Sequence, residues 1–404
     1  MFLTDLSHTA RCASNTGIQR VCRAFFREAQ ALEGAANVRP LMFDRFADCW
    51  RKPTPYEDNF INWRPEKIPG GKRGARWRAR DKFRGNLAKI GLPVGYEPIS
   101  DRTLAEAEAF IAPEIFSPEA HRAYQALFPK LKGPRVAIFY DLIALRLPQF
   151  TPAGTVKRFE TYLNELRDFD GIAAISAASR DDLVNHWREQ GITDHPPVEA
   201  VPLGVDFSSF DQSIASSIQR EPNAPPTALF VSTFEGRKNQ IALLEAAELL
   251  WKDGVNFRLW FVGMLNRETG TQAMKRLEEL KAAGRNVEYL GTLNDQSLTE
   301  TYHKADFTVY PSLMEGFGLP IIESLHYGKP CVVCEKHALG EVAAGGGCLM
   351  VPEPTPENLA VPMRQLIDDP ALRERLATEA KARTFRKWSD YARDILDFAR
   401  SLRS

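Results

Sequence analysis

Two glutamates, Glu315 and Glu323, flank a segment whose glycine and proline positions would bring the chain close to a ligand. Gly316 and Gly318 allow this approach, because glycine has no side chain and adopts backbone conformations that other residues avoid. Pro320 follows, and proline is well tolerated in the first turn of a helix. The N-terminus of such a helix presents N–H groups and a positive dipole, which suit a phosphate. The segment therefore predicts a phosphate-binding turn with one carboxylate in the loop and one in the second helical turn.

The elements that would position this turn alternate between strands and helices. Predicted strands of the second half lie at 228–231, 257–262, 287–290, 307–310 and 330–334. Predicted helices between them lie at 240–251, 271–283, 296–304 and 318–327. This alternation indicates a doubly wound parallel sheet, whose ligands sit beyond the carboxyl ends of its strands.

The first half follows the same alternation less regularly. Its predicted strands lie at 2–3, 38–43, 109–111, 136–140, 171–176 and 198–201, and its main predicted helices at 17–32 and 151–169. The stretch 208–227 is rich in Ser, Pro, Asn and Gln and is interpreted as the end of a first domain and a linker. The chain is therefore predicted to be an α/β protein with domains at 1–207 and 208–385, followed by a C-terminal helix at 386–404.

Composition excludes several classes of protein. Of the 404 residues 44% are hydrophobic, and 52 Lys and Arg balance 52 Asp and Glu, which argues against a nucleic-acid partner. No apolar run is long enough to cross a bilayer, and the N-terminus lacks the features of a signal peptide, so the expected location is the cytoplasm. Six cysteines are too few for a disulfide scaffold, and Cys331 and Cys334 are interpreted as core residues of a buried strand.

The string Glu315-Gly-Phe-Gly-Leu-Pro-Ile-Ile-Glu323 resembles the E-x7-E motif of family 4 of the retaining glycosyltransferases with the GT-B fold. The resemblance extends through most of the chain. Other segments that are similar to the family's landmarks lie at 15–21, 175–179, 201–206, 230–239, 261–263, 287–291 and 302–306. The resemblance implies two Rossmann-like domains, an active site in the cleft between them, and a C-terminal helix that returns to the first domain.

Roles at individual positions follow from this resemblance. Glu323 resembles the glutamate that binds the ribose hydroxyls of the nucleotide, and Glu315 the one that faces the donor sugar. Arg237 and Lys238 resemble the pair that grips the diphosphate, where fixed cations stabilise the charge that develops on the leaving group. Gly17 resembles the glycine that lets a first-domain loop approach the diphosphate. Backbone contacts to the donor are implied for Gly316, Phe317, Gly318 and Leu319.

One position departs from the family pattern. Many members carry His-Asp at the end of a first-domain strand, whereas this chain has Tyr140 and Asp141. Tyrosine can donate a hydrogen bond, but its pKa of about 10 makes it a poor base at neutral pH. The family's retaining chemistry is usually drawn with the donor's phosphate accepting the acceptor proton, so the loss of the histidine need not abolish transfer. Both residues are candidate catalytic residues, and Asp141 either orients the acceptor or caps a turn.

Neither of two potential metal patterns is favoured. Asp168-Phe-Asp170 matches a metal-binding tripeptide of the other large glycosyltransferase fold, but such tripeptides arise often by chance. His337 and Glu341 would lie one helical turn apart, with no third ligand evident. No metal site is predicted, and the only co-substrate expected is the nucleotide-sugar, with no other cofactor.

The stretch 64–89 is strongly basic, with ten Lys and Arg against Glu66 and Asp81. Trp77 and Phe83 interrupt the charges. Such a stretch can lie on an anionic membrane surface or meet a lipid-linked diphosphate acceptor. The alternative interpretation is a solvated surface loop, and the sequence does not decide between them.

The family resemblance implies transfer of a sugar from a nucleotide-sugar to a hydroxyl of a glycan or lipid-linked glycan. The segments around Gly17 and Asp141 resemble bacterial members, often mannosyltransferases, that build surface polysaccharide. GDP-mannose is therefore the first expected donor and a UDP-sugar the second. The enzyme would be cytoplasmic, with peripheral contact to the inner face of the membrane if the basic stretch binds there. The alternative hypothesis is a non-catalytic nucleotide-sugar-binding subunit of a glycan-assembly complex.

Overall fold

The computed structural model describes residues 1–13, 17–62, 75–207 and 224–403, and these divide into two compact units. The first unit comprises Met1–Leu142, Gly154–Gly204 and Arg386–Ser404, and the second comprises Ile143–Ala153 and Val205–Phe385. Each unit is built on one mainly parallel sheet, so the prediction of two Rossmann-like domains is confirmed. The segment Ile143–Ala153 groups with the second unit, which the predicted boundary at residue 207 did not anticipate.

The sheet of the first unit has seven strands in the order β3-β2-β1-β4-β5-β6-β7. The strands are β1 (Phe2–Asp5), β2 (Val38–Asp44), β3 (Cys49–Arg51), β4 (Ala109–Ala112), β5 (Arg135–Phe139), β6 (Gly171–Ala174) and β7 (Val198–Ala200). Within this sheet β2 and β3 pair antiparallel, and all the other neighbouring strands pair parallel. The central strands are buried along their whole length, because helices cover both faces of such a sheet.

Helices of the first unit lie at Ile18–Glu33, Pro55–Ile61, Ala79–Lys89, Asp101–Ala105, Pro118–Leu127, Ala153–Glu165, Ala177–Glu189 and Trp388–Ser401. The last of these, the C-terminal helix, packs on Ile18–Glu33. A Cβ atom on Gly171 of β6 would lie 2.5 Å from Cδ1 of Leu402, so the end of the chain is in close contact with this sheet.

The sheet of the second unit has six parallel strands in the order β10-β9-β8-β11-β12-β13. They are β8 (Thr227–Val231), β9 (Arg258–Val262), β10 (Val287–Gly291), β11 (Phe307–Tyr310), β12 (Cys331–Cys334) and β13 (Cys348–Val351). Its helices lie at Ile143–Arg146, Gln240–Lys252, Thr271–Ala282, Asp295–Lys304, Leu319–His326, His337–Ala343, Pro356–Asp368 and Pro370–Lys381. This strand order places a topological switch point between β8 and β11.

Two strands, β3 and β13, have no counterpart in the sequence-based prediction. Strand β3 is three residues long, and Arg51 within it pairs with Asp44 and Glu57. Strand β13 lies at a sheet edge, and only Val351 of its four residues is fully buried. Neither segment shows the apolar run or alternation that identifies a strand from sequence.

The cysteine pair lies where the sequence analysis placed it. Cys331 and Cys334 are buried in β12, and both are free thiols. In the part of the chain that the structure describes, no helix combines the length and apolar character needed to cross a membrane.

Candidate functional site

The candidate site lies at the carboxyl ends of β8 and β11, which are neighbours in the second sheet. The loop after β8 carries Arg237 and Lys238, and the loop after β11 carries Glu315. A backbone hydrogen bond of 2.9 Å from Leu313 N–H to the carbonyl of Arg237 joins the two loops. From β8 the sheet continues to β9 and β10 on one side, whereas β11, β12 and β13 lie on the other side. Ligands of doubly wound sheets bind at such a switch point.

A tight turn at Gly236–Lys238 presents the two cations. Asn239 follows with a left-handed φ of 57° and begins the helix Gln240–Lys252, a conformation that asparagine tolerates better than most residues. Gly236 has no room for a side chain, because an added Cβ would lie 2.2 Å from a ring carbon of Phe150. The segment Ile143–Ala153 therefore supports the turn directly.

Glu315 joins the two cations. Its Oε2 accepts from Nη1 of Arg237 at 2.9 Å, and its Oε1 accepts from Nζ of Lys238. Arg237 Nη1 also donates to the carbonyl of Met314 at 3.2 Å. Lys238 is buried and Glu315 is largely buried, so solvent screens these ion pairs much less than it screens pairs at the surface.

Burial and neighbouring charges shift the pKa values of Glu315 and Lys238. Burial alone would raise the pKa of Glu315, but Lys238 and Arg237 outweigh it and lower this pKa to about 2. Burial lowers the pKa of Lys238, and the charge of Glu315 acts in the opposite direction. At neutral pH the carboxylate is therefore ionised and is held beside two donors that suit a phosphate.

The glycine turn has the predicted form. Gly318 adopts a φ of 107° and precedes the helix Leu319–His326, a backbone conformation that a residue with a side chain rarely adopts. Gly316 and Phe317 are buried in the loop, and Glu323 lies half-buried in the second helical turn. The carboxylates of the motif thus stand before and after the helix start, as the sequence predicted.

Glu235 is a site residue that the sequence analysis missed. Its Oε1 lies 2.7 Å from Nη2 of Arg237, whereas Glu315 contacts Nη1 of the same guanidinium. Two carboxylates therefore hold Arg237 in one orientation, which favours a rigid donor fork. The available signal was the alternation of charge in the string Glu235-Gly-Arg-Lys238.

Three of the predicted site residues, Gly17, Tyr140 and Asp141, belong to the first unit. Gly17 has a φ of 53°, is exposed, and starts the helix Ile18–Glu33; Asn15 and Thr16 lie outside the described residues. Tyr140 is only 5% exposed, and its hydroxyl donates to the carbonyl of Pro113 at 2.7 Å. Burial raises the pKa of Tyr140 well above its usual value, so this geometry favours a structural role over contact with a substrate. Asp141, which follows it, is half-buried.

The two aspartates of the rejected metal pattern have different partners. Asp168 lies 2.8 Å from Nε2 of His121, and Asp170 accepts from Nε of Arg135 at 2.6 Å. Within the described ranges, no cluster of three or more His, Cys, Asp or Glu side chains is arranged to hold a metal ion.

Comparison with known proteins identifies the second unit. Residues 211–383 match the family model described as glycosyl transferases group 1. The second unit therefore contains a glycosyltransferase group 1 domain, and the two cations and Glu315 all lie inside it.

Mannosyltransferases are among the relatives of this chain. The chain is 24% identical over 356 residues to the serotype-specific mannosyltransferase WbdA of Escherichia coli, covering 84% of this chain and 39% of that protein. It is 26% identical over 341 residues to a GDP-mannose-dependent alpha-(1-6)-phosphatidylinositol dimannoside mannosyltransferase of Mycobacterium tuberculosis, covering 80% and 84%. The chain thus spans about two fifths of the length of the WbdA relatives that it matches first.

Solved structures agree on the fold. Sucrose-phosphate synthase from Thermosynechococcus elongatus superposes with a TM-score of 0.65 at 18% identity, over 100% of this chain and 99% of that one. The fold is that of the GT-B glycosyltransferases, and the predicted fold class is confirmed.

Proposed function

We propose that this chain, whose second unit contains a glycosyltransferase group 1 domain, is a retaining glycosyltransferase. It moves a sugar from a nucleotide-sugar to a hydroxyl of a glycan or lipid-linked glycan in the synthesis of cell-surface polysaccharide. The observation that carries this proposal is the convergence of Arg237, Lys238 and Glu315 at the switch point of the second sheet.

The chemistry proposed for these residues is electrostatic. When the bond between sugar and diphosphate breaks, negative charge grows on the leaving oxygen, and Arg237 and Lys238 stabilise it where it develops. The N-terminus of the helix Leu319–His326 adds N–H groups on the same side of the sheet. These fixed charges replace a divalent ion, and the reaction is proposed to need no metal. The donor's own phosphate accepts the acceptor proton, so the buried Tyr140 hydroxyl is not required.

Glu315 and Glu323 are proposed to hold the donor. Glu315, ionised between two cations, accepts hydrogen bonds from hydroxyls of the sugar, and Glu323 accepts from the ribose. GDP-mannose is the first candidate donor and a UDP-sugar the second. The relatives support this order, because two of them are named mannosyltransferases and one of these is GDP-mannose-dependent.

Peripheral contact with an anionic membrane is proposed for the described part of the basic stretch. Phe83, Ile90 and Leu92 are 65%, 73% and 48% exposed, within and just after the helix Ala79–Lys89. Exposed Lys82 and Lys89 flank them on the same helix. Exposed apolar side chains beside cations are typical of helices that lie in a membrane interface. Residues 63–74 of this stretch lie outside the described part of the chain.

Thermal unfolding with and without nucleotides tests the donor site. GDP, UDP, ADP and dTDP are each added with and without EDTA, and a ligand at 100 times its Kd should stabilise the fold by about 2.7 kcal/mol. We expect GDP to raise the unfolding temperature most, with no effect of EDTA. Lys238→Ala should abolish this stabilisation, whereas Lys281→Ala, which removes an exposed lysine from the same unit, should leave it intact.

Turnover separates the proposed enzyme from a binding subunit. Release of GDP from GDP-mannose in the presence of an acceptor glycan, lost in Glu315→Ala, is the expected result. Stabilisation by GDP with no turnover of any nucleotide-sugar would favour the non-catalytic subunit. If no nucleotide shifts the unfolding temperature, the assignment of the donor site is wrong.

A further inference from the structure

The first unit contains a cavity of about 210 Å³ at the carboxyl ends of β1, β2 and β4. Asp5 ends β1, and Glu114 follows β4 by two residues; both carboxyl groups line the cavity. Strands β1 and β4 are neighbours in the sheet. Strands β2 and β3 lie on the far side of β1, and β5, β6 and β7 lie on the far side of β4. The cavity therefore lies at the switch point of its own sheet, where ligands of such folds bind.

The inner wall of the cavity is acidic. The carboxylate of Glu114 accepts from the backbone N–H groups of His8 at 2.8 Å and Thr9 at 2.5 Å. Asp5 accepts from the hydroxyl of Tyr124 at 2.5 Å and from the backbone N–H of Ser7 at 2.9 Å. Each carboxylate oxygen can accept more than one hydrogen bond, so both groups can still receive one from a hydroxyl.

The side walls are aromatic. Trp77 and Phe116 line the cavity, and Arg11 lies 3.6 Å above the Trp77 ring, which fixes that ring in place. Flat apolar walls with a few hydrogen-bonding groups at one end are characteristic of sites for small polar molecules with an apolar face. A pyranose ring has this character, since its C–H groups form faces and its hydroxyls form the edge.

A second, open groove of about 550 Å³ adjoins this cavity and shares Arg45, Ala75 and Trp77 with it. The groove is basic, with Arg45 and Lys82 among its lining residues. Arg45 is 47% exposed, and its acidic neighbour Glu119 is 3.9 Å away, a loose contact. The groove can therefore offer charge-assisted hydrogen bonds to a phosphate.

We propose that the cavity and the groove together form a binding site for a phosphorylated saccharide. The neutral sugar ring lies in the acidic, aromatic cavity, and its phosphate lies in the basic groove beside Arg45 and Lys82. A nucleoside diphosphate fits this arrangement less well, because the wall formed by Asp5 and Glu114 offers no cation to a second charged group. The inference rests on the proposed function, in which this saccharide is part of the acceptor.

Calorimetric titration of the full chain with α-mannose 1-phosphate tests the site. We expect saturable binding at least about tenfold tighter than that of methyl α-mannoside or of inorganic phosphate alone, since each of these fills only one part of the site. Lys82→Ala and Arg45→Ala should each weaken binding by about tenfold. Lys132→Ala is the matched control, because Lys132 is an exposed lysine of the same unit that lines neither cavity and lies outside the proposed membrane-binding helix. It should bind as the wild type does.

The probe also carries the phosphate and sugar that the proposed donor site would bind, and Lys238→Ala separates the two sites. Binding that persists in Lys238→Ala and is lost in Lys82→Ala supports the new site. Binding lost in Lys238→Ala but unchanged in Lys82→Ala overturns it. If the probe does not bind while GDP still stabilises the protein, the inference fails and the proposed function stands. If GDP fails as well, the proposed function fails first.

The same titration with mannose linked to farnesyl diphosphate distinguishes two sources of the ligand. Tighter binding of the farnesyl form, reduced in Phe83→Ser, supports the site with a lipid-linked acceptor. Equal binding of the two forms supports it with a water-soluble phosphorylated glycan.

Discussion

At the scale of single residues, Glu315 balances the charge of the proposed donor site. It accepts from both Arg237 and Lys238, the two groups that a diphosphate would also use. Because Lys238 is buried, an uncompensated charge there is costly, and the carboxylate keeps both cations in position. A bound diphosphate would take over part of this compensation and leave the oxygens of Glu315 available to the sugar.

Glu315→Gln tests this electrostatic role. A carboxyl whose pKa is lowered to about 2 stabilises the fold above its ordinary pKa of 4.5, and this contribution is lost as pH falls toward 2. We expect the wild type to be more stable than the variant by an amount on the order of 3 kcal/mol above pH 5. The difference should shrink as pH falls from about 4.5 to about 2. Urea unfolding of both proteins across this range measures it, and a difference independent of pH would contradict the ion-pair assignment.

Glu114 predicts the opposite pH dependence. Burial, and next the charge of Asp5, raise the pKa of Glu114 to about 8. A carboxyl with a raised pKa takes up a proton on folding, so its contribution to stability is complete below about 4.5 and is lost as pH rises through 8. We expect the free energy of unfolding of the wild type to fall between about pH 4.5 and about pH 8. In Asp5→Asn, which removes the repelling charge, the fall should be smaller; identical profiles by chemical unfolding would contradict the coupling.

At the scale of elements, the C-terminal helix Trp388–Ser401 completes the first unit. Its buried face includes Trp388, Tyr391 and Ile395, and it packs against Ile18–Glu33. Arg400 extends this contact through ion pairs with Glu33 at 2.7 Å and Glu108 at 3.0 Å. The helix therefore joins the two ends of the chain in one core.

Ile395→Ala measures the contribution of that helix. Ile395 is fully buried, and removing a buried side chain of this size costs about 2–5 kcal/mol. Asp397→Ala, on the exposed face of the same helix, should change stability by less than about 0.5 kcal/mol. Urea unfolding compares the two, and equal losses would show that the helix does not pack as described.

At the scale of the whole molecule, the first unit is assembled from three separate stretches of chain and the second from two. Arg386–Ser404 belongs to the first unit although it follows the whole of the second in sequence. Folding of the first unit therefore requires that residues from both ends of the chain meet.

Truncation after Phe385 tests this organisation. We expect the shortened chain to lose stability in its first unit. Removal of the C-terminal helix would expose to solvent the apolar surface of Ile18–Glu33 on which that helix packs. Stabilisation by GDP should persist, since the residues proposed to bind the donor belong to the second unit. Scanning calorimetry with and without GDP resolves the two effects. Loss of the GDP response together with unchanged first-unit stability would contradict this division of the chain.

The sequence by itself determined the alternation of strands and helices, the second-domain turn with its two carboxylates, and the pair of cations. These features are local: an apolar run, a glycine turn and a proline at a helix start depend on residues close together in the chain. The same dependence on local sequence explains why two strands were not predicted. Strand β3 is only three residues long, too short to show an alternation, and β13 is an edge strand that pairs with β12 and has only one buried residue.

Only the tertiary structure decided which groups meet. Glu315 pairs with Arg237 and Lys238 across 78 and 77 residues of sequence, because parallel strands bring their carboxyl ends to one edge of a sheet. The same principle joins Asp5 and Glu114 at the cavity of the first unit and turns the hydroxyl of Tyr140 toward Pro113. Sequence spacing cannot reveal such contacts, since they depend on the order of the strands in the sheet and not on their order in the chain.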